Sequence, residues 1–323
     1  MRQMDNIINL KLLVVFVFTI TILNSYSQNL ENELSNIGVS PVVITTNNIS
    51  TGLHEHSALD ISPNGSFAFW TISLSGHKII LQLQKVNNEW SEPTVAGFSG
   101  QFRDEYHFFS PSGDSVYFMS YRPAFIGGSI QKHFMHWMTS FNGEKWTEPK
   151  INYDFHKEFW AYSMSKDKSV YGWCNLDTTK KDADIYFQEQ FDGKYKEPEL
   201  LSDSINSDAI EYCPCIAPDG SFIVFGRMGI GKMDGLYVSF RKSNNTWTQA
   251  KRLPEIVNQG YAERFPKISP DGKILFFNRQ KLNYIPFTKG RLKYEEIIEQ
   301  HVYSPLNGNG DIWGINTEIL KME

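Results

Sequence analysis

Short apolar runs alternate with turn residues along this chain at a nearly fixed interval. Ser62-Pro63-Asn64-Gly65, Ser110-Pro111-Ser112-Gly113, Ala217-Pro218-Asp219-Gly220 and Ser269-Pro270-Asp271-Gly272 are four copies of one turn. Each leads into an apolar, aromatic run such as Phe67-Ala68-Phe69-Trp70 or Phe222-Ile223-Val224-Phe225. A degenerate copy, Ser165-Lys166-Asp167-Lys168 before Val170-Tyr171-Gly172-Trp173, fills the one large gap. Gly65, Gly113, Lys168, Gly220 and Gly272 are spaced by 48, 55, 52 and 52 residues. A repeat of that length decides the architecture before any single element does.

Four short strands fit each period. Strand A precedes the turn and strand B follows it. Strand C is an apolar run such as Asp184-Ile185-Tyr186-Phe187 or Asp311-Ile312-Trp313-Gly314. Asn142-Gly143 and Asp192-Gly193 supply the positive φ of a tight hairpin before strand D. Each of these hairpins carries one aromatic residue (Trp90, Trp146, Tyr195, Trp247), expected to pack between neighbouring units. Four antiparallel strands per unit predict an all-β fold, a single β-propeller, because stacking in a ring covers both faces of every sheet. The count favours five blades, with six as the alternative if residues 284–310 supply strands of their own. Residues 41–46 precede the first A strand, and the last C strand has no D strand after it. The N-terminal strand is therefore expected to complete the last blade.

The Ser-Pro-Asp-Gly turn with its apolar strand, and the Asp-Ile-Tyr type of C strand, resemble the WD40-like PD40 repeats of TolB-type propellers. The resemblance spans nearly all of the chain after its leader. It implies an exported propeller used for binding, often of protein or cell-envelope partners. Lys166 and Lys168 depart from the motif and leave the register of the third unit open.

Strand order places the start of every A strand and the end of every B strand on one face of the ring. A glutamate stands near each A-strand start: Glu55, Glu105, Glu158, Glu211 and Glu263. Each precedes a ring-bearing or basic residue, namely His56, Tyr106, Phe159, Tyr212 and Arg264, and three B strands end in Arg122, Arg227 and Arg279. Two readings follow. Each carboxylate can pair with an arginine and fix a blade, or the set can form an acid-lined funnel with aromatic walls from Tyr106, Trp160, Tyr212 and Tyr261. The second makes the chain a binding module for a protein, peptide or glycan. Its alternative is a carbohydrate-active hydrolase using two axial glutamates as acid and base. Repetition of one position argues against a catalytic pair, which needs two carboxylates in unlike settings, so no catalytic residue is assigned. His54-Glu55-His56 beside Glu105-Tyr106-His107 is the densest group of metal-ligand types, but its spacing matches no ligand motif. No metal, phosphate loop, serine elbow or cofactor signature is assigned.

Composition narrows the partners. The chain has 323 residues, 31 Lys and Arg against 36 Asp and Glu, and a net charge of −5. That mild acidity argues against nucleic acid, which attracts a basic stripe. Arg2 and Lys11, an apolar run at 12–23 and Ser25-Tyr26-Ser27 predict a signal peptide over residues 1–27, cut after Ser27. The expected product is periplasmic or extracellular, with no stable membrane span, its partners in the cell envelope or outside. Residues 28–40 read as a short lead and 41–323 as the propeller, with an insertion at about 283–310. Cys174, Cys213 and Cys215 leave at least one thiol free. Packing between strands is the plain reading for all three, and a bridge from Cys174 to one of the pair is the alternative.

Overall fold

The computed structural model describes residues 29–125, 127–176, 183–229, 235–244, 246–282 and 293–322. The leader and its cut after Ser27 lie outside the described residues. The rest forms five four-stranded antiparallel blades, as the repeat requires. Blade 1 has strand A in two pieces, His54–Glu55 and Asp60–Ile61, then Phe67–Leu74, His77–Val86 and Thr94–Val95. Blade 2 is Asp104–Phe109, Ser115–Ser120, Met135–Ser140 and Lys150–Ile151. Blade 3 is Trp160–Met164, Val170–Cys174, Asp184–Gln188 and Glu199–Leu200. Blade 4 is Ile210–Ile216, Phe222–Met228, Gly235–Phe240 and Lys251–Arg252. Blade 5 takes Arg264–Ile268, Ile274–Leu282 and Asn307–Asn316, and borrows Val42–Val43 from the N-terminus as its D strand. Val42 lies opposite Gly314 and Val43 opposite Trp313, so the first strand closes the ring.

The turn that marks the repeat has one geometry in all five copies. The amide of Gly65, Gly113, Lys168, Gly220 or Gly272 donates to the carbonyl three residues earlier at 2.8–2.9 Å. Lys168 takes the same left-handed φ, 67°, that glycine takes elsewhere. That resolves the register of blade 3: the third unit keeps the turn and tolerates the backbone strain of a side chain there.

The core divides into five clusters, one at each seam between neighbouring blades. The hairpin aromatics seat as expected. Trp146 of blade 2 packs among Phe67, Phe69 and Phe98 of blade 1 and donates its indole N–H to Gln82 at 3.1 Å. Trp247 of blade 4 packs on Tyr171 and Ile185 of blade 3. At the closing seam the lead contributes Leu30 and Ile37, from and just after the helix Asn29–Ser35, beside Ile44, Trp70 and Phe276. The three cysteines are buried and free, so no bridge forms. Burial pushes the Cys215 thiol up to about 12. A helix, Tyr294–His301, lies in the insertion between strands B and C of blade 5, and strand C of that blade already begins at Asn307. Residues 307–310, expected in the insertion, therefore belong to the sheet; residues 283–292 lie outside the described residues.

Candidate functional site

Five matching A strands bring one residue of every repeat to the ring axis. Counting two residues back from the first residue of each turn gives Asp60, Phe108, Ser163, Cys215 and Lys267. One step nearer the turn stand Ile61, Phe109, Met164, Ile216 and Ile268, and the turn itself adds Pro63, Pro111, Lys166, Pro218 and Pro270. These three rings enclose an axial cavity of about 270 Å³ on the face of the Ser-Pro-Asp-Gly turns. Its walls are apolar, its rim is four prolines and one exposed lysine, and its floor is charged.

Lys267 makes that floor and plugs the channel. The residue is 3% exposed. Its Nζ donates to the carbonyls of His107 at 2.8 Å and Tyr162 at 3.1 Å, sits 3.2 Å from Asp60 Oδ2 and lies 4.1 Å above the Tyr162 ring. Two carbonyl acceptors, a carboxylate within ion-pair distance and a ring face replace the water that the ammonium has lost. Burial pushes the Asp60 carboxyl up, while the Lys267 charge pulls it back down.

On the opposite face the channel closes. Tyr106, Cys213 and Phe265 occupy matching positions in blades 2, 4 and 5 and all have left-handed φ, at 56°, 49° and 54°. Each sits at a β-bulge where the A–B register slips. Bulges re-aim side chains, and only about 10 Å³ remains among His56, Glu105, Tyr106, Phe265 and Lys267. Glu105 gathers the charges of this mouth. It accepts from Lys78 at 2.5 Å and Arg103 at 2.7 Å, and His56 lies 3.6 Å away. Burial alone would raise the Glu105 carboxyl; bonds from His56, Lys78 and Arg103 hold it below its ordinary value. Burial also lowers the pKa of His56 and of Lys78. Tyr106 and Trp160 meet at 5.6 Å, and Phe134 lies 5.6 Å from Trp160.

The remaining expected residues are placed as follows. Glu211 accepts from Arg227 Nε and Ser207 Oγ, both at 2.6 Å, and Glu263 accepts from Arg279 Nε and the Gln259 amide, both at 3.0 Å. Both carboxylates are fully buried. Arg227 and Arg279 also donate to backbone carbonyls of Ile205 and Val257, tying the incoming D–A loop to its blade. Arg122 does the same with Phe98, but its carboxylate partner at 2.8 Å is Asp104 rather than Glu105. Glu55 has no arginine in this role; Thr51 donates to it through its amide and hydroxyl. Burial and the nearby Asp311 charge raise Glu55 to about 8, and burial raises Asp311 to about 7. Glu158 is exposed and precedes its strand. Tyr212 and Arg264 are half-buried, Tyr212 lying over Gly226, and Tyr261 is exposed. His54 and His56 stand 6.1 Å apart, and among the described residues no three His, Cys, Asp or Glu side chains are grouped to hold a metal ion.

The axial ring of Asp60, Phe108, Ser163, Cys215 and Lys267 was not among the expected residues. A signal for it was present: Asp60 and Lys267, opposite charges, occupy the same repeat position inside apolar strands.

No protein-family model matches the chain, and no curated protein sequence matches it. Among solved structures, the chain is similar to a putative TolB from Agrobacterium tumefaciens, with 15% identity, 80% of this chain and 89% of that chain covered, and a TM-score of 0.46. TolB from Acinetobacter baumannii gives 13%, 81%, 54% and 0.45, so this chain spans about half its length. An alpha-L-arabinofuranosidase from Lactobacillus brevis gives 12%, 83%, 91% and 0.47. These are likenesses of fold alone.

Proposed function

We propose that the chain is an exported, non-catalytic binding module that takes an apolar side chain of a peptide or protein partner into the turn-face cavity. The observation that carries this reading is the position of the open axial space. It lies on the proline-rimmed face, over Lys267, while the opposite mouth is filled by its own side chains. Walls of Ile61, Phe109, Ile216 and Ile268 suit an aliphatic or aromatic side chain, and Asp60 at the base accepts from a donor at its tip. Glycan binding in this cavity has less support, since sugars need several polar partners and the walls supply few. Lys166, the residue that breaks the repeat, puts a positive charge on the rim and favours an acidic neighbour in the partner.

The hydrolase alternative draws less support from the geometry. Glycoside cleavage needs two carboxyl groups about 5–9 Å apart and open to substrate. Glu55, Glu105, Glu211 and Glu263 are each at most 1% exposed and already engaged. On this reading those four hold the ring, and Glu158 is a surface residue. Export rests on the apolar leader of the sequence; among the described residues, no helix is long and apolar enough to cross a membrane.

Peptide display tests the proposal. A random library selected on the immobilised chain should yield peptides with one large apolar residue flanked by acidic ones. Met164→Trp, which fills the cavity from its wall, should weaken the selected peptides tenfold or more. Peptides that bind Met164→Trp as tightly as the wild type would refute the site. Glycan turnover that is abolished by Glu211→Gln or Glu263→Gln would refute the non-catalytic reading.

A further inference from the structure

A second cavity, of about 520 Å³, lies on the outer flank between blades 1 and 2, away from the axis. Phe98, Phe102, Phe125, Trp137 and Trp146 line it, with Arg122 in its wall. Arg122 is the blade-2 member of the set that ties each D–A loop. Its Nε donates to Ser120 Oγ and its Nη2 to Phe98 O and Asp104 Oδ1; Nη1 takes part in none of these bonds. The guanidinium lies 5.3 Å from the Trp137 ring centre and 5.6 Å from that of Phe102. Trp137 is 5% exposed, and its indole Nε1 is buried without a hydrogen-bond partner. Phe125 is 72% exposed at the cavity edge.

The chemistry of this wall selects a ligand class. Asp104 already neutralises Arg122, so an anionic ligand would find no spare positive charge and would meet the Glu148 carboxylate of the lining. Gln101, Thr147 and Glu148 complete the lining with an amide, a hydroxyl and a carboxylate. A purely apolar ligand would cover these polar groups without pairing them, at the cost of burying them unsatisfied. Sugar hydroxyls donate to and accept from such groups, and the C–H faces of a ring pack on Phe102 and Phe125. We propose that this flank cavity is a separate binding site for a neutral sugar ring. It shares no lining residue with the axial cavity and stands whether or not a peptide binds there.

The test is a titration of the purified chain with maltotriose, xylotriose and mannotriose, with trigalacturonate as the acidic arm. Fluorescence of Trp137 and Trp146 and saturation-transfer NMR report binding. At least one neutral trisaccharide should bind, and Phe125→Ala should weaken it about tenfold, the loss expected for one ring's contact area. Phe102→Ala, which removes the facing ring, should weaken it as well, while Met164→Trp on the axis should leave it unchanged. Phe125 is exposed, so its variant carries the test even if Phe102→Ala does not fold. The proposal is overturned by no neutral trisaccharide binding at millimolar concentration, by tighter binding of trigalacturonate, or by binding indifferent to both Phe125→Ala and Phe102→Ala.

Discussion

Arg279→Met should unfold this protein far more readily than its chemistry as a rim charge would suggest. Arg279 is 1% exposed; its Nε lies 3.0 Å from a fully buried Glu263, and its Nη2 reaches the carbonyls of Val257 and Ile256. Removing the guanidinium strands the Glu263 carboxylate and frees two carbonyls. Breaking a buried pair from one side costs about 3–5 kcal/mol. Replacing both partners with apolar residues, Glu263→Met with Arg279→Met, should recover most of that loss, because no charge is left buried. Glu158→Gln, at an exposed position in the same sequence pattern, should change stability by less than about 0.5 kcal/mol. Guanidinium denaturation at pH 7 measures all three. A cost below about 1 kcal/mol for Arg279→Met, or a double variant worse than the single one, would mean that Glu263 reaches solvent. The glutamates would then be a ligand surface rather than ties between loop and blade.

Three further outcomes follow. Glu55 and Asp311 titrate near 4 in an unfolded chain but at about 8 and 7 in the fold. Between those values the folded chain holds more protons, so this pair's contribution is present at low pH and lost as pH rises toward 8; denaturation midpoints at pH 5 and 8.5 should differ less in Glu55→Gln than in the wild type. Gly226→Ala would place a Cβ 2.5 Å from the Tyr212 ring, and calorimetry should show a loss of about 1–3 kcal/mol that Tyr212→Ala in the same chain partly relieves. Lys267→Met leaves Asp60 buried beside the Tyr162 and His107 carbonyls, and should cost about 3–5 kcal/mol in chemical denaturation, a loss that adding Asp60→Asn should reduce.

The fold was legible because its signals are local and repeated. The turn, the hairpin glycines and the aromatic at each hairpin recur in order, and even Lys168 obeys the geometry set by the other four copies. Ring closure by Val42–Val43 was legible from a missing D strand. The site was less so. Counted back from the turn, Asp104 rather than Glu105 stands level with Glu211 and Glu263, and Arg122 pairs with it, leaving Glu105 to Lys78 and Arg103. The bulges at Tyr106, Cys213 and Phe265 shift register by amounts that spacing does not reveal. Glu158 falls outside strand A because blade 3 begins at Trp160. The axial ring, in contrast, is readable from a count of two residues back from each turn, where Asp60 and Lys267 interrupt otherwise uncharged positions.

The face that meets the partner is settled most directly by site-specific photo-crosslinking. A photoreactive residue replaces Lys166 on the proline rim in one chain and Arg103 at the opposite mouth in another, and each is irradiated with a peptide selected on the wild type. Adducts through position 166 and none through position 103 are predicted. Adducts through position 103 alone would contradict the turn-face cavity as the binding site.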